Sequence, residues 1–426
     1  MKLIPTFLRL NYFKIHKESF DGNRPVAEGT FKGKNGDYLD FTFQNPTAVN
    51  LITLFENGNN VTDFEIYYEQ NGEFIRIYRQ NRIADFRVCA IGETKTKKIR
   101  IKVCNTRKGF FKEIQAFIYH LPKKATSFRR TAYVVTDILE QIDPANLKHY
   151  NKFNIIGGIE TDGEGKVCFK NGKFHDALSL VRDYDPNADI VVTLLPRGDI
   201  LKVLKNPETP RNIKAFLDEY NLNGVSFDWE FPKNLYEWRV FDKFIIRLKE
   251  AIKEKSVTLA LPSWLPYHFS QKALDCIDVA EVMTYDNMPR DIDGHHSEFF
   301  SDGPNAIYHF VRKGFKLSQL DLGLPYYARP VDGAAYWSDY SAEVDKMDRF
   351  TNVVEDEYRD FDVNKKEITV KPRFYNSCQM IEDKTAFCVY AGVGGIMIWA
   401  LNADTPESHP LCLSKVLEKV IEERTK

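Results

Sequence analysis

The stretch Asn223-Gly224-Val225-Ser226-Phe227-Asp228-Trp229-Glu230-Phe231-Pro232 decides the reading of this chain. Along a strand, successive side chains point to opposite faces. Val225, Phe227, Trp229 and Phe231 then share one face, and Ser226, Asp228 and Glu230 share the other. The apolar face suits burial under helices. Two carboxylates on an inward face are costly unless they are paired or perform chemistry. Pro232 ends the strand and leaves Glu230 at its C-terminal end, which in a barrel of parallel strands is where chemistry gathers. Burial and a negative neighbour raise a carboxyl pKa, which suits Glu230 to act as a protonated general acid. A pair neutralised by Arg or Lys from an adjacent strand is the other reading of this spacing.

Outward from this stretch, strand-length apolar runs alternate with helical patterns. The strand candidates are AYVVTD, FNIIGGI, IVVTLLP, GVSFDWEF, VTLALPS, VAEVMTYD, LDLGLPYY and GIMIWAL. The helical patterns include ALSLVRDY, IKAFLDEYN, EWRVFDKFIIRLKEAIKE, IYHFVRKG and the final LCLSKVLEKVIEE. Eight strands with intervening helices predict a closed (β/α)8 TIM barrel over residues 131–426. An open doubly wound sheet fits less well, because no Gly-rich phosphate turn follows the first strand. Residues from about 331 to 374 are too long for a simple connection and too polar for core. They predict a small insertion before the last strand.

Residues 1–121 read differently. Short alternating segments such as YLDFTF, DFEIYYEQ, EFIRIYR and IQAFIYH are separated by turn signals, among them Gln44-Asn45-Pro46 and Gln70-Asn71-Gly72. This spacing predicts an antiparallel β-sandwich that folds by itself. Residues 122–130 are polar and charged and read as a linker, so the chain is expected to be multidomain. In the basic run Lys95–Lys102, Ile99 and Ile101 alternate with Lys98, Arg100 and Lys102. That pattern is one strand with a solvated face rather than an anion site.

Composition excludes several classes. Hydrophobic residues make up 43% of the 426, enough for a full core. Lys and Arg number 59 against 60 Asp and Glu, a balance unsuited to neutralising nucleic-acid phosphates. No run of about 18 apolar residues suggests a membrane span. MKLIPTFLRLNYFK lacks the apolar core of a signal peptide. The 7 cysteines show no CxxC and no zinc-finger His spacing, so buried free thiols are expected and neither metal nor cofactor is implied. His295-His296 with Glu298 lacks the i, i+4 spacing of a helical zinc site and reads as a loop. A monomer is expected.

Four ordered segments carry a specific resemblance. The stretch around Asp228 and Glu230 resembles the DxxDxDxE signature of glycoside hydrolase family 18, the chitinases and related endo-N-acetylglucosaminidases. Met283-Thr284-Tyr285-Asp286 is similar to that family's MxYD on the sixth strand. Leu322-Gly323-Leu324-Pro325-Tyr326-Tyr327-Ala328-Arg329 resembles its GxPFYGR on the seventh. Gly394-Gly395-Ile396-Met397-Ile398-Trp399 resembles its eighth strand, which ends in Trp.

The resemblance implies roles at the matching positions. Glu230 would be the general acid/base. Asp228 would orient and charge-stabilise the substrate's N-acetyl group, and Tyr285 would hydrogen-bond its carbonyl. Asp286 would contact the sugar at the cleavage site, with Trp399 as its floor and Met283 beneath. The implied substrate is a β-1,4-linked glycan containing N-acetylglucosamine, most simply chitin-like. Its own acetamide would attack the anomeric carbon, with retention of configuration. Two positions depart from the signature, where Asn223 and Ser226 stand for Asp. Without a like charge at 226, Asp228 is expected to ionise more readily. The third-strand motif is also absent, with Leu194-Leu195-Pro196-Arg197-Gly198 in its place. Trp264 and Tyr267, and Tyr336 and Trp337 in the insertion, are candidates for stacking on sugar rings. The N-terminal segment resembles discoidin-type (F5/8 type C) modules, which implies carbohydrate binding. Other readings of the whole are the same chemistry on N-glycan cores or peptidoglycan, or a catalytically inactive chitinase-like lectin.

Overall fold

A computed structural model describes residues 23–194, 198–264, 267–287, 295–330, 337–362 and 367–426. Strands β1 (Ala27–Lys34), β2 (Tyr38–Glu56), β3 (Val61–Gln70), β4 (Glu73–Gln80), β5 (Arg87–Thr106) and β6 (Phe110–Tyr119) form one antiparallel sheet in the order β1-β6-β2-β5-β3-β4. Hydrogen bonding thus runs unbroken through all six strands. The reason lies in β2 and β5, which run for 19 and 20 residues and tie every other strand into one ladder. Pro46 falls inside β2 rather than in a turn. The register with β5 shifts between Thr42 and Thr47, an irregularity that accommodates a residue without an N–H. β1 crosses closely over Phe41: a Cβ on Gly29 would sit 3.1 Å from the Phe41 ring. Phe41, Ile52, Phe64, Ile99, Ile101 and Ile118 fill the sheet's core. Arg100 lies outward, paired with Asp40 at 2.7 Å and stacked on Tyr38.

The next strands are β7 (Arg129–Val135) and β8 (Lys152–Ile156), a hairpin of β9 (Ile159–Thr161) and β10 (Val167–Phe169), then β11 (Asp189–Leu194), β12 (Gly224–Phe227), β13 (Ser256–Pro262), β14 (Val279–Met283) and β15 (Leu320–Pro325). After an insertion containing β16 (Tyr327–Pro330), β17 (Ser338–Asp339), β18 (Val353–Asp362) and β19 (Glu367–Phe374) comes β20 (Gly395–Trp399). Strands β11-β12-β13-β14-β15-β20-β7-β8 close into a parallel barrel, and β17-β16-β19-β18 form a small sheet beside it. β7 begins at Arg129, inside the stretch that reads as a linker.

Helix Leu235–Ile252 shows how the outer layer is built. Asn234 caps it by accepting from the Glu237 N–H, and Trp238, Phe241, Phe244, Ile245 and Leu248 line its buried face. Phe227 meets Phe244 with ring centroids 5.2 Å apart, and Trp229 meets Phe241 at 5.4 Å. Phe227 and Trp229 thus pack against a helix as the alternation predicts, whereas Phe231, beyond the end of β12, departs from it and packs on the interior cluster instead.

Sheet and barrel share a continuous core rather than a solvated seam. Leu51, Phe86, Val88 and Tyr119 of the sheet belong to the same hydrophobic cluster as Phe299 and Phe387. Helix Cys378–Ala391 is buried along its whole length between them. Its Asp383 accepts hydrogen bonds from Tyr78 Oη (2.6 Å), Arg87 (2.8 Å) and the Ala90 N–H (2.9 Å). The adjacent Lys384 turns the other way and donates to the Ser297 carbonyl and hydroxyl at 3.0 and 2.8 Å. One face of the N-terminal sheet is thus also barrel core. Among the described residues no helix is long and apolar enough to cross a membrane, and no group of three His, Cys, Asp or Glu is arranged to hold a metal ion.

Candidate active site

The barrel interior is layered. Tyr133, Ile156, Ala260, Met283 and Met397 form an apolar cluster, with Tyr285 and Trp399 packed on it. Tyr133 meets the Trp399 ring edge-on at 5.2 Å. Met283 and Tyr285 follow Glu281 at two-residue steps along and beyond β14, as the alternation of a strand requires. β12, β14 and β20 thereby bring Asp228, Glu230, Met283, Tyr285, Asp286 and Trp399 to the C-terminal mouth.

Asp228 and Glu230 continue the inward face of β12, and their side chains share a hydrogen bond. Burial, then Glu230 and then Glu281, push the Asp228 carboxyl up to about 8. Burial and then Asp286 also raise Glu230, which still reaches solvent. Asp228 Oδ1 is buried and accepts no hydrogen bond among the described residues. These neighbours oppose the ionisation of Asp228. The like charge missing at Ser226 returns from another strand, through Glu281.

Glu281 is fully buried. Its Oε2 accepts from Tyr133 Oη at 2.6 Å and from Asn154 Nδ2 at 3.2 Å, and lies 3.5 Å from Ser226 Oγ. Nothing in the sequence pattern singles it out, because one acidic residue in VAEVM reads as a strand residue.

Asp286 sits at the mouth in a left-handed conformation, with φ at 60°. Tyr327 Oη donates to its Oδ1 at 2.7 Å, Arg329 lies 2.7 Å away, and His296 Nδ1 lies at 3.6 Å. Burial opposes ionisation of Asp286, but these three partners outweigh it and hold the carboxyl at about 2. Burial lowers the His296 pKa, and Asp286 counters it only in part. The loop reading of His295-His296 therefore missed a residue in the site, although the seventh-strand motif already contained Tyr327 and Arg329. Ser297 donates to the Thr284 carbonyl at 2.7 Å, so Lys384 braces the end of β14 through it.

Trp264 is 46% exposed and meets Phe231 edge-on at 5.4 Å, one residue from Glu230. Trp337 is 53% exposed and stands 6.2 Å from Tyr327. Both rings are exposed at the mouth. Tyr267 is a correction: it is buried among Trp238, Phe269 and Phe310 and belongs to the core. Tyr336 and Leu195-Pro196-Arg197 lie outside the described residues.

Residues 205–404 match the profile of Glycosyl hydrolases family 18. A stretch of 108 residues, 22% of the chain, is 32% identical to the secreted chitinase LysM12 of Penicillium expansum. The match covers 7% of that fungal protein, so the chain spans a small fraction of the curated relative. Solved structures share the barrel fold. A chitinase from Bacteroides thetaiotaomicron superposes with a TM-score of 0.57 at 20% identity, over 70% of this chain and 97% of its own. The chitinase ChiB of Flavobacterium johnsoniae gives 0.54 at 22%, over 70% and 94%. A Cycas revoluta chitinase in complex with (GlcNAc)4 gives 0.53 at 16%, over 70% and 99%.

Proposed function

We propose that this protein is a glycoside hydrolase that cleaves β-1,4 bonds in N-acetylglucosamine-containing glycans, with retention and with the substrate's acetamide as nucleophile. The carrying observation is the Asp228–Glu230 pair at the barrel mouth. Its two carboxyls touch, and one buried acceptor, Asp228 Oδ1, lacks a donor among the described residues. An acetamide N–H is a donor of the right kind.

In this reading the pair holds one proton. Glu230 gives it to the leaving glycosidic oxygen as the acetamide oxygen bonds to the anomeric carbon and the glycosidic bond breaks. The positive charge formed on the acetamide is met by ionised Asp228. The nucleophile is tethered within the substrate, so its effective concentration is high without a protein nucleophile. Water then adds to the anomeric carbon, Glu230 takes up its proton, and the acetamide is restored. Tyr285 and Asp286 would orient the sugar, and Trp399 would lie beneath it. For the N-terminal sheet, the buried seam around Asp383 supports a structural role over a detachable carbohydrate-binding module.

The test is release of reducing ends from chitin oligomers by the full chain and by Glu230→Gln. Turnover should fall by at least about 100-fold in the variant, the usual scale for a general acid, while oligomer binding persists. Equal turnover by both proteins would end this reading. Binding without turnover by the unaltered chain would support the lectin.

A further inference from the structure

Among the described barrel strands the catalytic pair leaves two fully buried acids unused, Asp321, which is ion-paired with Arg129, and Glu281. Glu281 points from β14 into the interior, next to the hydroxyl of Ser226 on β12, and Asp228 is the next inward residue, just beyond the end of β12. Barrel strands seldom bury a carboxylate that does nothing, because an ion withdrawn from water is costly unless other groups take the place of the solvent. Here Tyr133, Asn154 and Ser226 surround it, contributed by three different strands. Asn154 is itself fixed, accepting from Thr193 Oγ1 at 2.5 Å. This is a built site for one carboxylate.

We propose that Glu281 is a positioning residue for the hydrolysis: it supplies, from β14, the interior carboxylate that β12 lacks at Ser226, so that Asp228 lies between two carboxyls, Glu230 towards the mouth and Glu281 beneath. The inference rests on the proposed function. Its consequence is control of the shared proton. With a negative charge below it, Asp228 keeps the pair's proton in the resting protein and passes it to Glu230, which donates it to the leaving oxygen, as a cationic partner forms above. The developing charge on the acetamide is such a partner. The raised pKa of Asp228, which has Glu281 among its causes, agrees with this.

The other ionisable groups facing this stack are few. Tyr133 from β7 and Tyr285 beyond β14 face Asp228, and both stay protonated because burial and the carboxylates push their pKa values up. Burial raises the Glu281 pKa, Lys152 from β8 and the Tyr133 and Asn154 hydrogen bonds lower it, and Asp321 from β15 raises it. Asp321 is paired with Arg129 at 2.6 Å.

The experiment measures kcat/KM against pH on chitin oligomers for the unaltered chain, Glu281→Gln, and Glu281→Gln combined with Ser226→Asp. Removing this interior charge should move the alkaline limb to lower pH by about one to two units. KM and thermal midpoint should change little. Restoring a carboxylate at position 226 should move the limb back. Tyr133→Phe, which strips the strongest donor from Glu281, is the second variant if Glu281→Gln does not fold. It makes Glu281 hold a proton more readily, so the limb should move the same way by less. An unchanged limb in an active Glu281→Gln variant, or a lowered thermal midpoint as the sole effect, would overturn the inference. If the unaltered chain cleaves no oligomer, the proposed function falls separately. The Asp228 midpoint is then read by carboxyl carbon NMR, where Glu281→Gln must lower it by the same amount or the inference falls too.

Discussion

Asp383→Ala tests how sheet and barrel are joined. Asp383 and Arg87 are both fully buried and paired at 2.8 Å, and Asp383 also serves Tyr78 and the Ala90 N–H. Its removal leaves the Arg87 guanidinium charged, because arginine does not give up its proton in proteins, and without its counterion. Breaking one side of such a pair costs about 3–5 kcal/mol. At a urea slope of about 3 kcal/mol per molar, the midpoint should fall by about 1 to 1.7 M. The assay is urea unfolding of the full chain, followed by far-UV circular dichroism and by tryptophan fluorescence. All 5 tryptophans lie beyond residue 121, so fluorescence reports the barrel and dichroism reports both parts. The unaltered chain should give coincident curves, and the variant should lose stability in both. Arg87→Met combined with Asp383→Leu should be less destabilised than Asp383→Ala, because it leaves no unpaired charge. A shift below about 0.3 M in the single variant, or a worse double variant, would refute the reasoning from a buried ion pair.

Other outcomes follow from the site and the seam. In the unaltered chain, kcat/KM should decline as pH rises through about 8, where the Asp228–Glu230 pair loses the proton it must donate; a flat profile to pH 9.5 would contradict this. Arg329→Met removes a cation 2.7 Å from Asp286. The Asp286 carboxyl should then titrate at a higher pH than its present value of about 2, visible as an upward shift of its carbon NMR midpoint. Trp337→Ala should weaken oligomer binding by about 3- to 10-fold through lost ring stacking, with kcat little changed, as read by calorimetry and steady-state kinetics. Residues 1–121 expressed alone should lack a cooperative thermal transition, since Leu51, Phe86 and Val88 would lose their barrel partners.

What the sequence disclosed follows from how local each signal is. The barrel was legible because its strands are short apolar runs, and because the 223–232 stretch has opposite chemistry on alternate residues. Asp228, Glu230, Tyr285, Asp286 and Trp399 were legible because each ends a strand within a patterned motif. Glu281 was not, since its meaning depends on Tyr133, Asn154 and Ser226 arriving from three other strands. His296 was hidden for the same reason, ten residues from the Asp286 it faces. Helix Cys378–Ala391 escaped because it is buried on all sides, so its polar residues follow their partners in sheet and loop rather than a 3.6-residue period. Pro46 misled because a bulge in a long strand and a turn between short ones share the same composition.

The central claim, cleavage assisted by the substrate's own acetamide, is tested most directly by the product anomer. Matched N-acetylated and de-N-acetylated β-linked oligomers are incubated with the full chain, and the new reducing end is followed by proton NMR from the first minutes. The account predicts initial β product from the acetylated oligomer and no cleavage where the scissile sugar lacks its acetyl group. Initial α product, or equal cleavage of both oligomers, would contradict it.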